Sequence, residues 1–393
     1  MQILAFAAID LVEPITRAVI SRLQELGHEV TYVGVGDTIA AAPDLLFSMN
    51  FRPDVAQMAR ESRTPYLCWM STCMVDEAMY APEAISEYVI MAHCARNDLL
   101  KCRLAGFPNL LYLPRPLNIE AYPRGVAVRN QRIHNTAFVG NFYHRSNCLF
   151  ESYQSQCEAA GQSDNPAVLL LAEFIETAAE KQLVMPMLEL LISQIKHQLP
   201  DFWNQLPLPQ IVLGQGGQRE IGKIIRYIDQ IIGHDIDFRV RRCMLQEMAR
   251  FGIAVWAQRH QDVDLEQPGV FYQGYAQGQT AVLQALATAK LGINLPRRFS
   301  DGPIFRHYEL ALAGTCQLAV ANDDVAAMFE PDREIVFFHS WEEAADKAAY
   351  YLEHDQQRER IAAAAYQRLI RDHTISRRLD LLRNELHHFG IRL

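Results

Sequence analysis

The sequence predicts an α/β protein of two Rossmann-like domains facing a cleft, with a helical insertion in the second domain. Three observations carry that expectation. The chain has 393 residues, two to three times a usual domain of roughly 150, so a single small module is excluded. Short apolar runs alternate with stretches of helical spacing, which is the rhythm of a parallel sheet covered by helices, and the rhythm occurs twice. Between the two occurrences stand the chain-breaking residues Pro114, Pro116, Pro123 and Gly125. Hydrophobic residues make up 50% of the chain and charged residues 21%, a balance that buries a core rather than remaining disordered.

In the first half, QILAFAA (2–8) reads as a buried strand. Ile15, Val19, Ile20, Leu23 and Leu26 then recur at helical spacing until Gly27 stops the helix. GHEVTYVGVG (27–36), PDLLFSMN (43–50), TPYLCWM (64–70), YVIMAH (88–93) and NLLYLPRPLN (109–118) follow as strands. The boundaries expected from this pattern are a first domain at 1–120, a linker at 121–134 and a second domain at 135–373. That second domain opens with NTAFVGNFYHRSN (135–147) and is interrupted by helix from Leu149 to about Gln205. Strands resume at GIAVWA, VFYQGY, KLGINL, CQLAVA and EIVFF, and helices close the domain at Trp341–Leu352 and Gln357–Arg371. In the last segment, 374–393, Ile375, Leu379, Leu382, Leu386 and Phe389 form an apolar stripe that suits a helix crossing back onto the first domain.

Thirty-seven basic residues against forty-six acidic give a net charge of −9, the wrong sign for nucleic-acid binding through bulk charge. No apolar run is long enough for a membrane span, and no basic region precedes the first apolar stretch as in a secretion signal. The eight cysteines include no CxxC. Free thiols in a cytoplasmic protein are therefore expected.

The richest chemistry lies in Ile293–Val320. After the strand come Arg297 and Arg298, and then Asp301, Gly302 and Pro303 read as a helix start, with Asp as N-cap and Pro in the first turn. Helix amides beside arginines make an anion site, and guanidinium forks match phosphate oxygens. Glu309 shares that helix with Arg306 and could accept two hydrogen bonds from the vicinal hydroxyls of a ribose; the plainer alternative is an Arg306–Glu309 surface pair. Arg145, after a strand and the Gly140 turn, suits a phosphate ligand or a plain surface arginine. Tyr275 could stack on a base or belong to the core.

LGINLPRR, DGPIFRHYELALAG, FEPDREIVFF and YYLEHDQQRERIAAAAYQRLIRDHT resemble the C-terminal domain of the CgeB-like glycosyltransferases. FVGNFYHRSN resembles the strand and loop that open that domain. The spacing of Asp301 and Glu309 is similar to the Glu-x7-Glu region of retaining B-type (GT-B) enzymes. The likeness runs from about 250 to 376, with an outlier at 135–147, and is looser before Glu120. It implies that 1–120 is the acceptor domain and that the second domain binds a nucleotide diphosphate sugar, the donor substrate, with no separate cofactor. Glu309 would hold the donor ribose and Asp301 the transferred sugar. The amides of Gly302, Pro303 and Ile304, with Arg145, Arg297 and Arg298, would face the diphosphate beside Gly140 and Asn141. Asp301 stands where the family more usually has Glu. Asp76, in CWMSTCMVDE, is the candidate facing a hydroxyl-type acceptor, glycan or protein-borne; otherwise it is a solvated loop acid.

Rival signals are weaker. Gly214, Gly216 and Gly217 lack the third spaced glycine of a dinucleotide fingerprint. Asp235 with Asp237, and Asp262 with Asp264, match a two-residue metal motif that chance also supplies, and Asp237 reads as the N-cap of a 238–250 helix. The reading is a glycosyltransferase acting with retention and without a metal ion, by front-face departure; its alternative is a non-catalytic sugar-nucleotide or glycan-binding protein derived from one.

Overall fold

A computed structural model gives the structure of the chain and describes residues 1–6, 13–34, 43–71, 85–119, 122, 132–142, 149–181, 232–259, 263–295 and 302–393. Contacts divide it into two compact units. Of the described residues, the first holds those of Met1–Ala121 and Ile370–Leu393, and the second those between them in sequence, up to Leu369.

In the first unit, strands β1 (Gln2–Phe6), β2 (Glu29–Val33), β3 (Leu45–Met49), β4 (Tyr66–Trp69), β5 (Val89–His93) and β6 (Asn109–Tyr112) form one sheet in the order β2-β1-β3-β4-β5-β6. Every pairing in it is parallel. Strands β3, β4 and β5 are buried along their whole length, as both faces of a doubly covered parallel sheet must be. Helices α1 (Glu13–Glu25), α2 (Pro53–Ser62) and α3 (Arg96–Ala105) connect them. Proline opens α2, and Gly106 closes α3 in the left-handed region at φ +101°, where a side chain would be strained.

The second unit's sheet comprises β7 (His134–Val139), β8 (Ile253–Trp256), β9 (Val270–Tyr272), β10 (Ala289–Asn294), β11 (Cys316–Val320) and β12 (Val336–Phe338). Its order is β12-β11-β10-β7-β8-β9, again parallel throughout. Every predicted strand core is present, with ends trimmed by one to several residues. Of the expected insertion, α4 (Leu149–Ala159), α5 (Pro166–Glu176) and a π-helical turn at Thr177–Lys181 are seen, and 182–205 lies outside the described residues. Helix α6 is His234–Ala249, with Gly233 at its N-cap. The expectation of Asp237 as N-cap is thereby corrected, because the helix starts a turn earlier and Asp237 pairs with Arg241 inside it at 3.3 Å. Further on come α7 (Gly278–Ala287), α8 (Phe305–Leu312), α9 (Asp323–Ala326), α10 (Trp341–Glu353) and α11 (Asp355–Asp372).

The last helix, α12 (Ile375–Leu386), belongs to the first unit and packs on α1. Ile375, Leu379, Leu382 and Leu386 are buried, while Phe389, in a 3-10 turn, is half-buried. Two polar ties fix the helix: Leu117 N donates to His373 O at 3.2 Å and Arg378 Nε to Arg115 O at 3.4 Å. Among the described residues all cysteines are free, and no helix is long and apolar enough to cross a membrane.

Asp235, on the first turn of α6, accepts from Phe150 N at 3.3 Å, and burial pushes its carboxyl up to about 7. Between the unfolded value near 3.9 and that figure, the folded chain keeps a proton that the unfolded chain has lost, so stability falls as pH rises through this window. Asp235→Asn keeps an acceptor for Phe150 and removes the titration. Thermal melts should show the variant more stable than the parent at pH 8, by on the order of 4 kcal/mol, and level with it near pH 4. A gap that does not change with pH would refute this.

Candidate functional site

In the second unit the chain lays β7, β8 and β9 in one direction and then returns to place β10, β11 and β12 on the other side of β7. Connections leaving β7 and β10 therefore diverge, and ligands of open parallel sheets bind in the crevice beyond the carboxyl ends at such a reversal. Gly140 and Asn141 follow β7 on one lip. The end of β10 and the start of α8 form the other.

Gly292 lets α8 lie close to β10, since a Cβ there would meet Leu310 Cδ2 at 2.0 Å. Ile304 is the N-cap of α8 and offers no side-chain cap. Pro303 thus precedes the helix, correcting the expectation that Asp301 caps it with proline in the first turn. The backbone of Ile304 is served instead by His307, whose Nδ1 accepts from Ile304 N at 3.1 Å and whose own N donates to Ile304 O at 3.0 Å. Of the three residues expected to offer amides to a diphosphate, Pro303 has no N–H and Ile304 has committed its own. Gly302, buried, remains.

Glu309 lies one turn along α8 and is 8% exposed. Arg306 Nη1 stands 2.7 Å from its Oε2, whereas Oε1 has no hydrogen-bond partner among the described residues. Burial pushes the Glu309 carboxyl up, and the Arg306 charge opposes this. Arg306 is pulled down by burial and held up chiefly by Glu309. Tyr122 completes the group. Burial raises its phenol, and the nearby Glu309 charge raises it further. Arg306 and Glu309 thus form a largely buried pair with one carboxylate oxygen uncommitted among the described residues, within electrostatic reach of the Tyr122 phenol. Sequence reasoning found Glu309 and its pairing with Arg306 but missed Tyr122, which lies far away in the chain.

It also missed Asn294, the last residue of β10. This side chain is fully buried, and neither amide atom has a partner among the described residues. Tyr275 is 62% exposed in the loop after β9, so it is not core; Tyr272 beside it bonds Ala257 O at 3.1 Å. Asp76, Arg145, Arg297, Arg298, Asp301 and Asp262 lie outside the described residues, as does the 214–217 glycine loop.

Residues 239–384 match the family described as Glycosyl transferase-like. The match runs across most of the second unit's sheet and past Leu369 into α12 of the first unit. The matched span includes β10, α8 and Glu309 and overlaps the strings noted from 250 to 376. No curated protein matches the chain. Among solved structures, the chain is similar to Anabaena Alr3699/HepE in complex with UDP and glucose, at 11% identity, 99% of this chain, 100% of that chain and TM-score 0.46. T4 phage β-glucosyltransferase matches at 9% identity over 98% and 99% of the two chains, TM-score 0.49. Sucrose-phosphate synthase from Thermosynechococcus elongatus matches at 10% identity over 99% and 100%, TM-score 0.48.

Proposed function

We propose that this protein is a cytoplasmic GT-B glycosyltransferase of the CgeB-like branch, moving a sugar from a nucleotide diphosphate donor to a hydroxyl-type acceptor with retention. The observation that carries this reading is Glu309 within a glycosyl transferase-like span. Arg306 holds one of its oxygens, keeping the carboxylate charged and oriented, while the other is uncommitted and suits a ribose hydroxyl. The Tyr122 phenol lies within its electrostatic reach. The leaving diphosphate would sit at the Gly302 amide and the first turn of α8, where helix amides and dipole favour added negative charge. Such preorganised donors lower the barrier most where charge develops.

The remaining assignments follow the resemblance. Asp301 would hold the transferred sugar, and Arg145, Arg297 and Arg298 the diphosphate. Gly140 and Asn141 would give the donor close backbone approach, Tyr275 would stack on the base, and Asp76 would face the acceptor. A thermal-shift panel of UDP, GDP, dTDP and ADP with their glucose conjugates tests the reading. A ligand at a hundred times its Kd should stabilise the fold by about 2.7 kcal/mol. No response across the panel would overturn it.

Turnover, in this reading, needs no divalent ion. Asp235, Asp237 and Asp264, the described members of the two acidic pairs, are engaged by Phe150 N, by Arg241 and by Glu266 N. Activity is therefore expected to survive EDTA. Loss in EDTA with rescue by manganese would move the diphosphate's counter-charge from arginines to a metal.

A further inference from the structure

Strand β10 ends in an amide that nothing among the described residues satisfies. Asn294 is 1% exposed, and neither Nδ2 nor Oδ1 has a hydrogen-bond partner among the described residues. Burying an amide without partners is costly, and an apolar residue of similar volume would remove that cost. A ligand that supplies both partners gives the residue a reason to be there.

The ladder fixes which way the side chain faces. Two residues earlier, the Cβ direction of Gly292 meets Leu310 of α8. Gln317, opposite Gly292 on β11, donates from Nε2 to His307 O of α8 at 2.9 Å. Residues two apart in a strand share a face. Asn294 therefore lies on the α8 face, nearer the carboxyl edge than Leu310. Helix α8 runs back from that edge to reach the parallel strand β11, so the edge is where its first turn stands. Asn294 also adjoins the reversal between β10 and β7.

Chemistry narrows what the amide meets. Phosphate oxygens at neutral pH only accept, so a diphosphate would satisfy Nδ2 and strand Oδ1. Sugar hydroxyls both donate and accept, and a pair of them satisfies both atoms. A base edge also offers both, but its proposed stacking residue, Tyr275, follows β9, three strand spacings or about 14 Å across the sheet.

We infer that Asn294 is a specificity-determining residue that reads hydroxyls of the transferred sugar. The inference rests on the donor-binding reading above. Calorimetry of the parent protein and Asn294→Leu with UDP and UDP-glucose, or whichever panel pair the parent binds best, tests it alongside melting temperatures. The variant should melt at or above the parent temperature and keep its nucleotide Kd within about twofold, while its nucleotide-sugar Kd rises about tenfold or more, as when a site built around a hydroxyl loses its partner. Asn294→Ala makes the same comparison if leucine is not accommodated. Equal weakening for nucleotide and nucleotide sugar would place the amide against the nucleotide half and overturn the inference; so would no change in either. A parent protein that binds no member of the panel overturns the donor reading itself, and the inference with it.

Discussion

Glu309→Gln is expected to weaken binding of the nucleotide diphosphate by about 1 to 3 kcal/mol, a tenfold to hundredfold rise in Kd, through loss of a charged hydrogen bond. The substitution also leaves Arg306 facing a neutral amide 2.7 Å from where the carboxylate stood. Both side chains are largely out of solvent, at 17% and 11% exposure. A drop in melting temperature should therefore accompany the loss of affinity. Arg306→Gln separates the two effects. It breaks the same pair from the other side but keeps the acceptor oxygens, so its stability should fall comparably while affinity falls less. Calorimetry with UDP on the three proteins decides the matter. Equal affinity losses in both variants, or none in Glu309→Gln, would remove Glu309 from the donor site.

The second large effect is expected at the end of the chain. Deleting residues 375–393 removes the buried Ile375, Leu379, Leu382, Leu386 and Ile391 and exposes the face of α1 on which they rest. At about 1.5 to 3 kcal/mol for each fully buried aliphatic side chain, the loss is comparable to the whole stability of a typical domain. The first unit should therefore lose its cooperative unfolding transition while the second keeps its own, read by calorimetric melting or by hydrogen exchange resolved along the chain. Leu382→Ala is the graded form, with a cost of about 2 to 5 kcal/mol confined to the first unit. A truncated protein that melts like the parent would show that α12 contributes nothing.

Much of the architecture was legible because buried parallel strands are short apolar runs and these stand out between amphipathic stretches. LLFSM and CQLAV are examples, buried at every position. Helix starts were less legible. Asp-Gly-Pro at 301–303 has the composition of a capped start, yet α8 begins at Phe305 because the imidazole of His307 reaches back to the Ile304 amide, and a histidine at the third helical position carries no such signal in sequence. At Asp237 the error had the opposite sign, since Gly233 began α6 earlier. Within the site, the Arg306–Glu309 pair could be read from its three-residue spacing. Tyr122 could not, because only the fold brings it to Glu309. Asn294 resembled core for a related reason: KLGINL looks like any buried strand, and whether its one amide finds a partner is decided by neighbours the sequence does not specify.

The placement of α12 also sets an order of events during synthesis. Every residue of the second unit leaves the ribosome before Ile375 does, so that unit can complete its sheet while the first still lacks the helix that covers α1. Residues 1–121 must then wait, with part of their apolar surface open, until a segment more than two hundred residues downstream arrives. Closing so long a loop is slow, and surface left exposed meanwhile is vulnerable to aggregation. The first unit is thus the late folder despite being made first, and chaperone dependence in this protein should concentrate on its N-terminal third.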